Sequence, residues 1–189
     1  MKTLMQRIGV FWIGALLGAM ATPATTLERM TLEGLTSRAA VVVQVRCLST
    51  ESRWERGEIW TFTQFEVEEA LKGVAPRLLT VRLLGGKVGH LISTVDAVPR
   101  FRPAEESILF LERTPDGAFT VLSWAQGTFR IRRDEHTRRA VVTQDSSSLA
   151  VFDPARQQFR SEGVRNLPLV SFKQRIARVV MELQRKGQQ

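Results

Sequence analysis

The stretch Ala39-Ala-Val-Val-Val-Gln-Val-Arg-Cys-Leu48 decides the fold class. It begins with a β-branched run and then alternates apolar and polar residues, as a strand does when one end is buried on both faces. Residues 59–69 alternate in the same way, and the polar residues 49–58 between the two runs have Arg56-Gly57 at their tip. Two such runs on either side of a turn predict a β-hairpin.

Shorter apolar runs bounded by turn residues continue the pattern. Asp116-Gly117 is a strong turn signal, and the polar residues 146–166 are predicted to form a mobile loop. Because six or seven strands are closely spaced and helices occur only at the ends, we predict a mainly β fold, with a small antiparallel OB-like barrel as first choice and a β-sandwich as the alternative. The additional predicted strands are residues 78–84, 107–113, 118–124, 127–132 and 140–144.

Both ends of the chain carry helix signals. Thr25 and Glu28 have the spacing of a capping box, which predicts a short N-terminal helix ending at Ser37 or Arg38. Residues 171–186 predict an amphipathic C-terminal helix that either packs on the sheet or associates weakly with an anionic membrane. Its apolar positions are Phe172, Ile176, Val179, Val180 and Leu183, and its basic positions are Lys173, Arg175, Arg178 and Arg185.

Residues 1–21 have the layout of a secretory signal peptide. Lys2 and Arg7 precede an uncharged run that is too short to cross a bilayer as a stable helix and that ends in small residues. Cleavage is expected after Ala21, with cleavage after Ala24 or retention of the segment as the alternatives. Residues 22–189 then form a single predicted β-rich domain of an exported protein, either periplasmic or extracellular.

The charge balance narrows the class of partner. The 189 residues carry a formal net charge of +8, which falls to +6 when Lys2 and Arg7 are removed, and only five of the 27 basic residues are Lys. Arginine favours bidentate contacts with carboxylate or phosphate groups. A composition bias of the host genome is one explanation of this arginine content. The other is a partner with an acidic protein face, a polysaccharide or an anionic lipid surface; nucleic acid is not expected in an exported compartment.

The sequence offers no recognisable catalytic constellation. His90, His136 and Cys47 are too few for a predicted metal site, and no cofactor motif is present. Cys47 is the sole cysteine and lies on the same side of its strand as Val45, which predicts a buried, unreactive thiol outside any internal disulfide. No Gly-x-Ser-x-Gly or Ser-x-x-Lys motif occurs. We therefore predict neither a catalytic residue nor a cofactor.

Residues 87–105 form a predicted long irregular loop, and loops of this length are more often functional than ordinary connections. The loop follows Gly85-Gly86, which together with Gly89 predicts backbone turns at positive φ. A phosphate-binding loop is excluded because Val81 stands where that motif requires glycine.

Tryptophan supplies the remaining candidate for a contact surface. Trp54 is the one best suited to exposure because charged residues flank it, whereas Trp60 and Trp124 are predicted to pack in the core. The candidate binding residues are therefore Trp54, Lys87, His90, Arg100, Phe101 and Arg102.

Several short motifs, in order over residues 35–132, resemble a group of exported bacterial proteins that have no assigned reaction. They are Ser52-x-Trp54, Gly57-x-Ile59-x-Thr61, Leu71-Lys72-Gly73, Gly85-Gly86-x-x-Gly89, Pro99-Arg-Phe101 and Glu105-Glu106-x-Ile-Leu-Phe-Leu111. Some members of the group are encoded near matrixin-like secreted zinc proteases, so the resemblance implies a companion, an inhibitor or a processing partner of an exported protease. An OB-like barrel also resembles netrin-like inhibitor modules, but their disulfide-bonded cysteines are missing here.

The leading functional prediction is a non-enzymatic binding module that grips a protein partner with residues 87–105 and Trp54. One alternative is a small secreted hydrolase-like enzyme whose only obvious resources are Cys47, His90 and the acids. A further alternative is an anionic envelope-surface protein held by its basic C-terminal helix.

Overall fold

The structure, a computed structural model, describes residues 28–161 and 163–188. The predicted signal peptide and Thr25 lie outside the described residues. Within them the chain is mainly β, as predicted, with one large mixed sheet. The helices are α1 (Leu32–Arg38) and α2 (Leu169–Lys186), and the strands are β1 (Val41–Glu55), β2 (Glu58–Lys72), β3 (Leu78–Leu84), β4 (Gly86–Val88), β5 (Leu91–Ser93), β6 (Glu106–Arg113), β7 (Phe119–Val121), β8 (Thr128–Arg133), β9 (Ala140–Gln144), β10 (Val151–Asp153), β11 (Gln158–Arg160) and β12 (Leu167–Pro168).

The predicted hairpin is confirmed and is longer than expected. β1 and β2 have 15 residues each and are joined by Arg56-Gly57 alone. Both turn residues have positive φ, 52° and 87°, which is the geometry that matches the twist of two antiparallel strands. Residues 49–55, predicted to be turn-like because they are polar, are therefore the second half of β1.

Five strands close into a ring. β1 pairs with β2 on one side and with β6 on the other, and β3 and β7 complete the ring in the order β1-β2-β3-β7-β6. The contact between β3 and β7 is parallel and rests on one register pair, Val81 with Phe119. β6 also pairs with β8, and the sheet continues through β9 to β12.

The first half of β1 contributes to two cores, as the β-branched run predicts. Val43 and Val45 lie in the ring interior, where Phe65 and Phe101 meet edge to face with their ring centroids 5.0 Å apart. Val42 points the other way, into a second core formed with both helices. All three valines are fully buried. This strand therefore joins the ring to the helical layer.

The N-terminal helix begins later than the predicted capping box. Thr31 is its N-cap, and the Thr31 hydroxyl accepts a hydrogen bond from the Gly34 N–H at 3.0 Å. Glu28 was expected in the first turn, but it forms an isolated parallel bridge with Phe152. The reason is that the adjacent Arg29 N–H donates to the Phe152 carbonyl at 2.9 Å, which keeps this segment extended.

The C-terminal helix α2 is confirmed and begins two residues earlier than predicted. Phe172 and Ile176 are fully buried, and the Phe172 ring lies 4.6 Å from that of Phe129 on β8. The apolar face therefore packs on the sheet, and Val170 and Met181 are the exposed large apolar residues of this helix in the described region.

Two other segments contain more strand structure than predicted, and a third contains less. Residues 87–105 include the β4–β5 hairpin, and residues 146–166 include the β10–β11 hairpin. Residues 118–124 were predicted to be one strand, but β7 ends at Val121 and a 3₁₀ turn begins at Trp124. Short strands that pair only with their neighbours bury few side chains, so their sequences lack a clear apolar period.

Candidate functional site

The turn end of the β1–β2 hairpin and the β4–β5 hairpin together form what we call the distal end, residues 50–62 and 85–93. Three large apolar side chains are exposed there: Trp54 at 56%, Leu91 at 47% and Ile92 at 67%. Isolated exposed apolar residues are common on protein surfaces, whereas several at one end of a molecule indicate a contact surface. The distal end is therefore the candidate site.

The β4–β5 hairpin is anchored to the β1–β2 hairpin by short hydrogen bonds. The Gly85 N–H donates to the Ile59 carbonyl at 2.7 Å, and the Thr61 hydroxyl donates to the Gly85 carbonyl at 2.6 Å. The hydroxyls of Ser52 and Thr61 lie 2.8 Å apart. This part of the predicted loop is therefore held against the sheet.

Glycine is required where the two hairpins meet. Gly85, Gly86 and Gly89 have φ angles of 87°, 143° and 58°, as the turn interpretation predicts. A Cβ atom on Gly86 would lie 2.3 Å from Ser52 Oγ and 2.4 Å from Thr61 Oγ1, closer than any real contact. At Gly89, a Cβ atom would meet nothing within 4 Å, so this glycine is needed only for its backbone conformation.

The predicted site residues divide into an exposed group and a buried one. Lys87 lies on β4, and His90 lies in the turn between β4 and β5; both are exposed. Arg100 is exposed as well, and its guanidinium donates to the Ser93 carbonyl at 3.2 Å, which places it beside the end of β5. Arg102 is exposed further along the loop. Phe101 is only 6% exposed and packs in the ring interior, so it is removed from the candidate contact surface.

Arg130 on β8 holds the second half of the loop in place, and sequence reasoning missed it. Its guanidinium lies 4.5 Å from the Phe101 ring centroid. It binds Glu105 Oε2 at 2.8 Å, Asp145 Oδ2 at 2.8 Å and the Arg100 carbonyl at 2.8 Å. A guanidinium shared by two carboxylates is a strong charge-assisted contact. No local motif marks it, because its partners come from distant parts of the sequence.

Cys47 is buried, as predicted, and lies in the ring interior. It is 1% exposed, and burial, together with the nearby Glu105 charge, raises the pKa of its thiol. A thiol with a raised pKa is a poor nucleophile at neutral pH. His90 lies in an exposed turn, whereas Cys47 is enclosed in the core.

Arginine and aromatic side chains stack on the outer face of the hairpin. The Arg53 guanidinium lies 3.8 Å from the Phe62 ring centroid, and that of Arg82 lies 4.7 Å from the Trp60 centroid. Arg82 also pairs with Asp116 at 2.8 Å; a hydrogen bond from Thr114, supported by Arg82, lowers the pKa of the Asp116 carboxyl. Trp60 is therefore half-buried under an arginine on the outer face rather than in the core.

A cleft of about 980 Å³ lies between α1, α2 and the segments around Gln144 and Gly163. Its walls carry charges of both signs, including Arg175, Arg178 and Glu182. Among the described residues, no three His, Cys, Asp or Glu side chains converge as a metal site requires. The lining of the cleft is therefore mixed in charge, and the cleft is not a metal site built from the described residues.

Comparison with known proteins identifies no relative. The chain matches no family model, no curated protein and no solved structure. In the described part of the chain, no helix combines the length and the apolar character needed to span a bilayer.

Proposed function

We propose that this protein is an exported, non-enzymatic binding module that engages a protein partner through its distal end. The observation that carries the proposal is the exposure of Trp54, Leu91 and Ile92 on a support held in place by Gly85 and Gly86. Aromatic and aliphatic anchors on a rigid support are what a protein interface uses for most of its binding energy.

The charges around these anchors indicate the chemistry of the partner. Residues 85–95 include Lys87 and His90 and no acid, and the exposed Arg100 lies beside Ser93 at the end of β5. A partner with an apolar pocket and an acidic rim would complement this surface. An exported protease is one partner that fits the proposed location, in line with the resemblance noted above.

The finer fold assignment belongs to the same proposal. We propose that the five-stranded ring is an OB-like barrel, because its order β1-β2-β3-β7-β6 and its parallel contact between the third and fifth strands match that fold. OB-folds present binding surfaces on strands two and three and on the neighbouring loops. In this chain those elements are β2, β3 and the turn at Arg56, next to the distal end.

Export is proposed from the N-terminal sequence. Lys2 and Arg7 followed by a short apolar run support a secretory signal. Mass spectrometry of the protein recovered outside the cytoplasm would give the N-terminus directly. A chain beginning at residue 22 or 25 supports processing, whereas full-length chain confined to the cytoplasm would overturn the proposal of export.

Binding is tested by capture of proteins from the host's envelope and culture fluid on the immobilised chain, with the captured proteins quantified by mass spectrometry. The variant Leu91→Ser with Ile92→Ser removes two anchors from exposed positions, so we expect it to fold. It should reduce capture of the specific partner at least about tenfold, since loss of interface anchors typically costs more than 1 kcal/mol.

The matched control makes the same change away from the distal end. Val74 and Leu78 are 89% and 53% exposed, and replacing both with Ser removes a similar apolar area. We expect this control to capture the partner as the unmodified protein does. Equal capture by both variants, or no captured protein at all, would exclude the distal end as the binding surface.

A further inference from the structure

The second half of β1 has an unpaired edge. β1 pairs with β6 only as far as Arg46, opposite Glu106. One residue further on, the Cys47 N–H donates to the Glu105 carbonyl at 2.9 Å. Beyond that point, within residues 28–161 and 163–188, the strand that pairs with β1 is β2 alone. One edge of this half-strand is therefore open to another chain.

The register of the hairpin identifies the open backbone groups. A two-residue turn makes the flanking pair, Glu55 with Glu58, a hydrogen-bonded pair, and hydrogen-bonded pairs recur at every second residue. Arg53 and Glu51 therefore bond to β2. The backbone groups of Thr50, Ser52 and Trp54 point away from β2. The Ile59 carbonyl, which faces β3 and accepts from Gly85, agrees with this alternation.

We infer that a second copy of this chain pairs with this edge, antiparallel, around a two-fold axis at Ser52. In that arrangement Ser52 faces Ser52, and Thr50 faces Trp54 of the second copy. Every open donor and acceptor of these three residues is then used. The exposed Trp54 ring lies against Thr50 of the other copy.

The side chains between these residues make the edge complementary to itself. In the same arrangement Glu51 of each copy lies directly opposite Arg53 of the other. These residues form non-hydrogen-bonded pairs, in which cross-strand side chains are closest. Both Glu51 and Arg53 are exposed. Arg53 has a long ion pair with Glu55 of its own chain, at 3.9 Å, and no ion pair within the described residues includes Glu51. Because of the two-fold symmetry, the Glu51–Arg53 contact forms twice in the dimer.

The same charges disfavour the two neighbouring registers. Moving the two-fold axis by one residue, from Ser52 to position 51 or 53, would place Glu51 opposite Glu51 or Arg53 opposite Arg53. Like charges directly opposite each other are destabilising. A flat, uncharged edge would slip between registers, whereas the charges of this edge favour the arrangement centred on Ser52 over those centred on Glu51 or Arg53.

The pairing has a consequence for the distal end. Gly86 of the β4–β5 hairpin packs on the face of β1 that carries the Ser52 side chain. A two-fold axis perpendicular to the sheet keeps that face on the same side in both copies. The dimer therefore presents two β4–β5 hairpins side by side. This inference does not depend on the proposed function.

Charge exchange in the full chain tests the inference by sedimentation velocity over a range of concentrations at low salt. We expect the unmodified protein to form a dimer. Glu51→Arg and Arg53→Glu should each weaken dimerisation at least about tenfold, since each creates two like-charge pairs. An equimolar mixture of the two variants should form a heterodimer, because one chain then carries two arginines at positions 51 and 53 and the other carries two glutamates, so both contacts join opposite charges.

Two further variants complete the test. The double variant Glu51→Arg with Arg53→Glu restores both opposite-charge contacts within one chain and should dimerise as the unmodified protein does. Arg132→Glu makes a matched change of charge on β8 and should leave dimerisation unchanged. Unmodified protein that stays monomeric at all concentrations would overturn the inference, and so would a mixture of the two variants that forms no heterodimer. If the protein is monomeric and its open edge instead binds an extended segment of a different protein, the inference is likewise wrong.

Discussion

The two halves of β1 belong to one strand but face different surroundings. In the first half, Val42, Val43 and Val45 are fully buried and the strand is paired on both sides. In the second half, Trp54 is 56% exposed and β2 alone is paired with the strand among the described residues. A register irregularity between Cys47 and Ser49 separates the two. Stability is thus concentrated in the first half, whereas the second half has an exposed surface and one open edge.

The difference shows how a polar strand can be stable without a core of its own. The second half of β1 buries little, yet a two-residue turn and continuous pairing with β2 hold it in the same hairpin as the buried half. The outer stacking of Arg53 on Phe62 adds a cation–π contact. The long hairpin therefore extends regular strand structure from the ring to the distal end.

Removing a core side chain should give the largest contrast between the halves. Phe65 is fully buried beside Phe101, so Phe65→Ala should lower the free energy of unfolding by about 3–5 kcal/mol. Trp54→Ala should change it by less than about 1 kcal/mol, because surface substitutions cost little. Chemical denaturation of both variants measures the difference. Similar losses for the two would contradict the division described above.

A smaller effect should distinguish the two ends of the loop over residues 87–105. Arg130→Met leaves the carboxylates of Glu105 and Asp145 without their shared guanidinium, so we expect a loss of about 2 kcal/mol in unfolding free energy. Arg132→Met, on the same strand but exposed, is the control and should be nearly neutral. Hydrogen exchange should increase around residues 100–105 and stay unchanged in β4 and β5; an equal increase in both would show that the loop is one unit.

The smallest effect concerns the thiol at the end of the buried half. Burial raises the pKa of Cys47, so the folded state opposes its ionisation more than the unfolded state does. Stability from this group is complete below the unfolded pKa, about 8.5, and is lost as pH rises through and above it. Relative to Cys47→Ala, the unmodified protein should lose at most about 2 kcal/mol by about pH 10. Parallel pH dependence in both proteins would show that the thiol does not contribute.

The parts of the fold that sequence patterns predicted are those with a strong local signal. The β-branched run at Val41 and the alternation after Ile59 gave the hairpin, and the apolar spacing around Phe172 and Ile176 gave α2. Segments whose order comes from backbone pairing were missed. The polar residues 49–55 and the short strands β4 and β5 have no apolar period, so composition suggested turns and loops.

Only part of the candidate site was predicted, because only some of its residues have a local signal in the sequence. Trp54 was expected to be exposed because charged residues flank it, and it is. Leu91 and Ile92 were missed, since an apolar pair in a loop gives no sign of which way it faces. Phe101 was included among the candidate binding residues because its sequence neighbours are basic. Its burial could not be predicted locally, since the side chain that covers it belongs to the distant Arg130.

The two-residue turn at Arg56-Gly57 also limits how this hairpin can diverge between related chains. Adding two residues to each arm would lengthen the projecting half, and every side chain would keep its face, because the pleat repeats every two residues. Adding one residue to each arm would exchange the faces of all residues beyond the insertion. We therefore expect the hairpins of related chains to differ in length by two residues per arm, with no change in the ring.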